Sequence, residues 1–297
     1  MKVRKAALLV ATLGLFAGGA HAQEAGTLKK IKDTGVISLG YRESSIPFSY
    51  YDEQQNVIGY SHEFMMKIVD AVKQKLNTPD LKTKLTPVTP QNRIPLVQNG
   101  TVDLECGSTT NNMEREQQVT FSNTIFVIGT RLMTRKDSGI KDWLDLKGKT
   151  VVTTAGTTSE RLLRRMNQDK GMGMNIISAK DHEEAFQALA SGRASAFMMD
   201  DALLAGERAK SGHPTEFVIL GAPQSEEAYG CMMRKNDPDF KKVVDGAIAK
   251  IETSGEADQI YQKWFESPIP PKGLNLNFPE SDAIRALFKS PNDKPID

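Results

Sequence analysis

Arginines and hydroxyl residues at the ends of strands and the starts of helices carry the chemistry of this 297-residue chain. Arg42 directly follows the strand-like run Val36-Ile37-Ser38-Leu39-Gly40-Tyr41. Arg93 sits in Pro90-Gln91-Asn92-Arg93-Ile94-Pro95, just before a short helix. Arg115 closes Ser108-Thr109-Thr110-Asn111-Asn112-Met113-Glu114-Arg115. Thr154-Ala155-Gly156-Thr157-Thr158-Ser159 leads from a strand into a helix, where free N–H groups and neighbouring hydroxyls favour a carboxylate. A guanidinium offers a planar fork that takes a carboxylate bidentately. The chemistry common to these residue types is anion recognition. Each alone has a plainer explanation, because an Arg is most often solvated and a Ser or Thr before a helix is most often a cap.

Spacing dismisses two enzyme motifs. Met66 stands where a zincin would need the second His after His62-Glu63. Trp143 stands where a P-loop would need Gly before Gly148-Lys149-Thr150. No G-x-S-x-G occurs. His62, His182 and His213 are far apart and form no metal-ligand spacing, so neither metal nor cofactor is expected. These absences weaken the hydrolase and metalloenzyme readings without eliminating catalysis. With 38 Lys plus Arg against 37 Asp plus Glu, the chain has no overall attraction to nucleic acid. Its 39% hydrophobic and 25% charged residues suit a globular protein of one large or two medium domains.

Residues 1–22 read as a secretory signal. Lys2, Arg4 and Lys5 form its basic start, Ala6 to Ala17 is apolar apart from Thr12 and Gly14, and Ala20-His21-Ala22 is an A-x-A cleavage site. The apolar run falls well short of the roughly 20 residues that span a bilayer. The mature chain is expected to begin at Gln23, with 35 basic against 37 acidic residues. That overall sign is wrong for attracting an anion, so recognition has to be local. In an oxidising compartment Cys106 and Cys231 are most simply one disulfide, with two buried free thiols as the alternative.

Strand-like and helix-like segments alternate, which predicts an α/β fold. Phe64, Met65, Ile68, Val69, Val72 and Leu76 share one face of a helix over 61–76. Asp237-Pro238 is a cap followed by Pro at the first helical position, ahead of the stripe Phe240, Val243, Val244, Ala247, Ile248 and Ile251. His182 follows Asp181, with Glu184 three residues past that cap, at a helix N-terminus. Two junctions of helix end, Gly and short strand occur, at Leu96–Asp103 and Leu189–Ala196. The first is followed by Gly107-Ser108-Thr109-Thr110-Asn111 and the second by Asp200-Asp201, beyond strand carboxyl ends where open sheets bind ligands.

Arg93–Asp103, Thr109–Arg115 and Thr120-Phe121-Ser122 resemble the first-lobe signature of the polar amino-acid periplasmic binding proteins, solute-binding protein family 3. Tyr41–Tyr51, Glu105–Asn111, Met198–Arg208 and Glu227–Cys231 are similar to the family's acidic-ligand subgroup, across essentially the whole mature chain. The resemblance implies an α/β, hinge-connected, two-lobed fold of type II. Lobe 1 would comprise 23–125 and 229–297, and lobe 2 would comprise 126–228, with hinge strands near 125–130 and 224–229. Both cysteines would then lie in lobe 1. The resemblance assigns Arg115 to the ligand α-carboxylate, Ser108 and Thr110 to the α-carboxylate and α-amino groups, and Thr158 to the α-carboxylate. It assigns Asp200 to the α-ammonium, and Arg42, Arg93 and His182 to the side-chain carboxylate. Pro90 departs from the Ser that the subgroup can carry, which removes one hydroxyl from the distal pocket. The function implied is a monomeric periplasmic receptor that captures L-glutamate and L-aspartate and delivers them to an inner-membrane ABC permease, not an enzyme. A dehydratase-like enzyme and an amino-acid sensor module are the alternatives.

Overall fold

The computed structural model describes residues 26–273 and 275–296. The secretory-signal reading of residues 1–22 lies outside them. Strand Val36–Tyr41 is buried from Ile37 onward, as a strand covered on both faces must be. It pairs in parallel with Lys82–Pro87 on one side and Leu104–Glu105 on the other. Glu227–Met233 continues this first sheet antiparallel to Leu104–Glu105, Thr110–Asn111 and Thr120–Ile128. Lys82–Pro87 is a mostly exposed edge strand whose lysines discourage further pairing, and it has no buried apolar run to announce it.

The second sheet runs Asn175–Ala179, Thr150–Thr154, Ala196–Asp200, Thr130–Arg135, Phe217–Leu220. Its first three strands are parallel and the last two are antiparallel additions. The α/β pattern expected from the sequence is therefore present in the two larger sheets, beside a small antiparallel one formed by Ser44–Ser45, Ser49–Tyr51 and Val57–Ile58. The chain crosses between them twice, through Gly129 after Ile128 and again between Leu220 and Glu227. The two crossings touch. A Cβ on Gly129 would stand 2.8 Å from Pro223 Cβ and 3.1 Å from the Ser225 carbonyl oxygen, so only glycine fits.

Helix Tyr60–Leu76 buries Phe64, Met65, Ile68, Val69 and Val72, and ends on Asn77 in the left-handed conformation. It packs against helix Pro238–Thr253, which buries Phe240, Val244, Ile248 and Ile251. The Asp237 carboxylate caps that helix through the Phe240 N–H and also accepts from the Thr27 N–H, tying two helix starts together. Phe48, Tyr60, Phe126, Tyr261 and Phe265 form an aromatic cluster beneath the first sheet, with Phe48 to Phe126 at 4.9 Å and Phe126 to Phe265 at 4.8 Å between centroids.

Within helix Pro238–Thr253, Glu252 is buried and neither carboxyl oxygen meets a hydrogen-bond partner among the described residues. Burial pushes this carboxyl up to about 9. The unfolded chain releases the same proton near the ordinary value of about 4.3. Between those values the native state holds a proton that the unfolded state lacks, so stability falls as pH rises across the window. Glu252→Gln is therefore expected to raise Tm, and by more at pH 8 than at pH 5. Thermal melts at the two pH values check this, and equal shifts would sink it.

Candidate ligand-binding site

Each sheet delivers charged groups from its carboxyl-end loops and helix starts. Arg42, one residue past strand Val36–Tyr41, is 2% exposed and donates its N–H to Ser49 Oγ. Its guanidinium lies 3.4 Å from both Ser108 Oγ and His182 Nε2. Arg93, also 2% exposed, opens the short helix Arg93–Gln98 and donates from Nη1 to the Ser108 carbonyl at 2.9 Å and to Thr109 Oγ1. Glu105 Oε2 accepts from Thr109 Oγ1 at 2.9 Å, which places a buried carboxylate behind the two arginines. Arg115 is 4% exposed, in a turn capped by Asn112. It donates to the Thr110 carbonyl at 2.9 Å and reaches the Gly156 carbonyl of the second sheet at 3.4 Å.

Burial lowers all three guanidiniums; neighbouring cations add to the effect for Arg42 and Arg115, which fall to about 9, whereas nearby Glu105 opposes it for Arg93. All remain charged at neutral pH. Three cations crowded out of water need anions, because an unpaired buried charge costs several kcal/mol. Arg93 Nε and Glu105 Oε1 have no hydrogen-bond partner among the described residues.

The second sheet supplies the opposite wall. His182 is the first residue of helix His182–Ala190, capped by Asp181. Its Nδ1 pairs with Thr154 Oγ1 at 2.8 Å. Arginine only donates, so Nε2 facing Arg42 is an acceptor and the ring proton sits on Nδ1. Burial, then Arg42 and Arg93, hold this imidazole well below its ordinary range, so it is neutral and orients Arg42. Thr158 opens helix Thr158–Asp169 behind the Thr157 cap. Gly156, at φ +78°, brings this turn against the first sheet, where a Cβ would stand 2.8 Å from the Gln91 side chain. Pro90 beside it is buried and offers no hydroxyl.

Asp200 ends strand Ala196–Asp200, accepting from Ser159 Oγ at 2.8 Å and from the Tyr229 hydroxyl. Burial, reinforced by Glu227, raises its carboxyl to about 7. The structure thus brings Arg42, Arg93, Ser108 and His182 together at one end, and Thr110, Thr158 and Asp200 at the other, with Arg115 beside the latter. A cavity of about 300 Å³ lined in part by Thr110, Thr158 and Glu227 adjoins that end.

Glu227 is the residue that sequence reasoning missed. Its Oε2 accepts from Thr110 Oγ1 at 2.5 Å and Thr158 Oγ1 at 2.7 Å. Its Oε1 accepts from Ser225 Oγ at 2.9 Å and Thr130 Oγ1 at 3.2 Å. Its sequence signal was its place in Glu227–Cys231, one of the segments similar to the acidic-ligand subgroup, which assigned it no role. The strand register that sets Tyr229 opposite Thr110 is what puts it in the site.

Two α/β sheets joined by a double crossing, with buried charges from both meeting between them, define the periplasmic-binding-protein fold class. The chain belongs to the bacterial extracellular solute-binding proteins, family 3, whose pattern matches residues 37–267. It is 61% identical over 301 residues to the glutamate/aspartate import solute-binding protein of Salmonella typhimurium, covering 100% of both chains. It is 64% identical over 270 residues to the L-glutamate/L-aspartate-binding protein of Pseudomonas aeruginosa, covering 91% of this chain and 89% of that one. An ancestral arginine-binding protein bound to arginine has a similar solved structure, at 30% identity and a TM-score of 0.70, covering 78% of this chain and 98% of that one.

Proposed function

We propose that this chain is the periplasmic receptor of an ABC importer, capturing L-glutamate and L-aspartate and handing them to an inner-membrane permease. The observation that carries this reading is the buried guanidinium pair Arg42 and Arg93 at one end of the site, with buried Arg115 beside two buried acids, Asp200 and Glu227, at the other. An acidic amino acid has two carboxylates and one ammonium, and needs two cationic clamps and one anionic one. Arg115 would hold the α-carboxylate, and Asp200 the α-ammonium. Arg42 and Arg93, oriented by His182 and Ser108, would hold the distal carboxylate. Lobe 1 would comprise 23–125 and 229–297 and lobe 2 would comprise 126–228, closing by hinge motion in the two crossing segments. Closure would exclude water and strengthen every charge pair inside. The names of the relatives support the ligand class and the import role.

Calorimetry against a panel of amino acids tests the reading. Glutamate and aspartate should bind saturably at one site. Glutamine leaves Arg42 and Arg93 facing a neutral amide, a loss of about 3 kcal/mol or roughly 100-fold in Kd. Tight binding of glutamine with none of glutamate would overturn it.

A further inference from the structure

Glu227 has an arrangement that the ligand clamps alone do not explain. It is buried, and four hydroxyls from four segments converge on its two oxygens. Two of them, on Thr110 in a first-sheet strand and on Thr158 at the helix start that follows a second-sheet strand, are the ones the binding reading places against the ligand. A hydroxyl has one proton to donate and two lone pairs to accept with. Thr110 and Thr158 both give that proton to the same Glu227 oxygen, at 2.5 and 2.7 Å. Towards a bound molecule each then presents lone pairs only. Such a surface repels a carboxylate and accepts from N–H. We propose that Glu227 sets the polarity of the Thr110 and Thr158 hydroxyls, turning both into acceptors for the ligand α-ammonium, and so makes the site select α-amino acids over dicarboxylates that lack the amine.

This inference rests on the receptor reading above and changes one role within it. Thr158 would serve the α-carboxylate only through N–H groups at its helix start, and its hydroxyl would serve the ammonium. Asp200 agrees with this polarity. Its carboxylate lies in the same hydroxyl network, sharing Thr130 Oγ1 with Glu227 at 3.5 and 3.2 Å. Two acids held together in a dry site repel each other, which contributes to the raised pKa of Asp200. A cation bound beside them relieves that repulsion. Glu227 touches the ligand only through the threonines, so it is a positioning residue.

The test compares glutamate with glutarate, the same dicarboxylate without the amine, by competition calorimetry on the full protein. In Glu227→Leu the side chain accepts from neither Thr110 nor Thr158, which frees both hydroxyl protons to turn towards the ligand. Glutamate Kd should weaken at least tenfold while glutarate is unchanged or tighter, so that 10 mM glutarate displaces glutamate from the variant. Parallel weakening of both ligands, no change in either, or failure of glutarate to displace glutamate would each overturn the inference. Thr158→Val keeps the test alive if Glu227→Leu does not fold. Loss of an acceptor should weaken glutamate at least fivefold and spare glutarate, whereas loss of a donor to carboxylate would weaken both. Wild-type protein that binds no acidic amino acid would sink the receptor reading itself. Intact wild-type binding with an unmoved ratio would sink only the role of Glu227.

Discussion

Arg115→Ala is expected to lower glutamate affinity by at least about a thousandfold, or roughly 4 kcal/mol. The guanidinium is 4% exposed and braced by carbonyls on both sides of the site, Thr110 from the first sheet and Gly156 from the second. Its fork is therefore preorganised, and little rotamer entropy is lost when a carboxylate arrives. Truncation would leave that carboxylate desolvated beside Asp200 and Glu227 with no counter-charge. Arg115→Lys keeps the charge but not the planar fork, and should fall between the two. Calorimetry with a melting curve on each variant separates binding from folding. A change below tenfold in a folded Arg115→Ala protein would remove Arg115 from the α-carboxylate clamp.

The second large effect concerns stability. Cys106 and Cys231 are joined in a disulfide that closes a loop of 125 residues in sequence separation. In the chain-entropy model a loop of that length contributes about 5 kcal/mol by restricting the unfolded chain. At roughly 2–4 °C per kcal/mol for a chain of this size, Cys106→Ala with Cys231→Ala should lower Tm by about 10–20 °C. Both cysteines lie in the first sheet region, Cys106 just after Leu104–Glu105 and Cys231 within Glu227–Met233. The bond joins the early and late portions of the chain within that sheet and does not span the two crossings. Glutamate affinity below the new Tm should therefore stay within about threefold. A Tm loss under 3 °C, or a large loss of affinity in the folded protein, would contradict this account.

Much of the local structure was legible. Asp181 and Asp237 were readable as caps because a cap bonds residues within three positions of itself. The buried stripe of helix Tyr60–Leu76 was readable because helical period and apolar spacing are the same fact. Lys82–Pro87 was not, because an edge strand of a parallel sheet needs only its neighbour and has no apolar run to show. The arginines were readable as candidates but not as a site. His182 meets Arg42 across 140 residues of chain, which no local pattern encodes.

The sequence by itself determined the amphipathic helices, the inner strands, several caps, and the arginines available for recognising an anionic ligand. These depend on side-chain chemistry and on spacings of a few residues. Only the tertiary structure decided which way those groups face. Glu227 lies 117 residues from Thr110 and 69 from Thr158, and the strand register and double crossing bring all three together. A hydroxyl donates or accepts according to the partner it meets. The polarity of this part of the site is therefore a property of packing and cannot be assigned to any one residue.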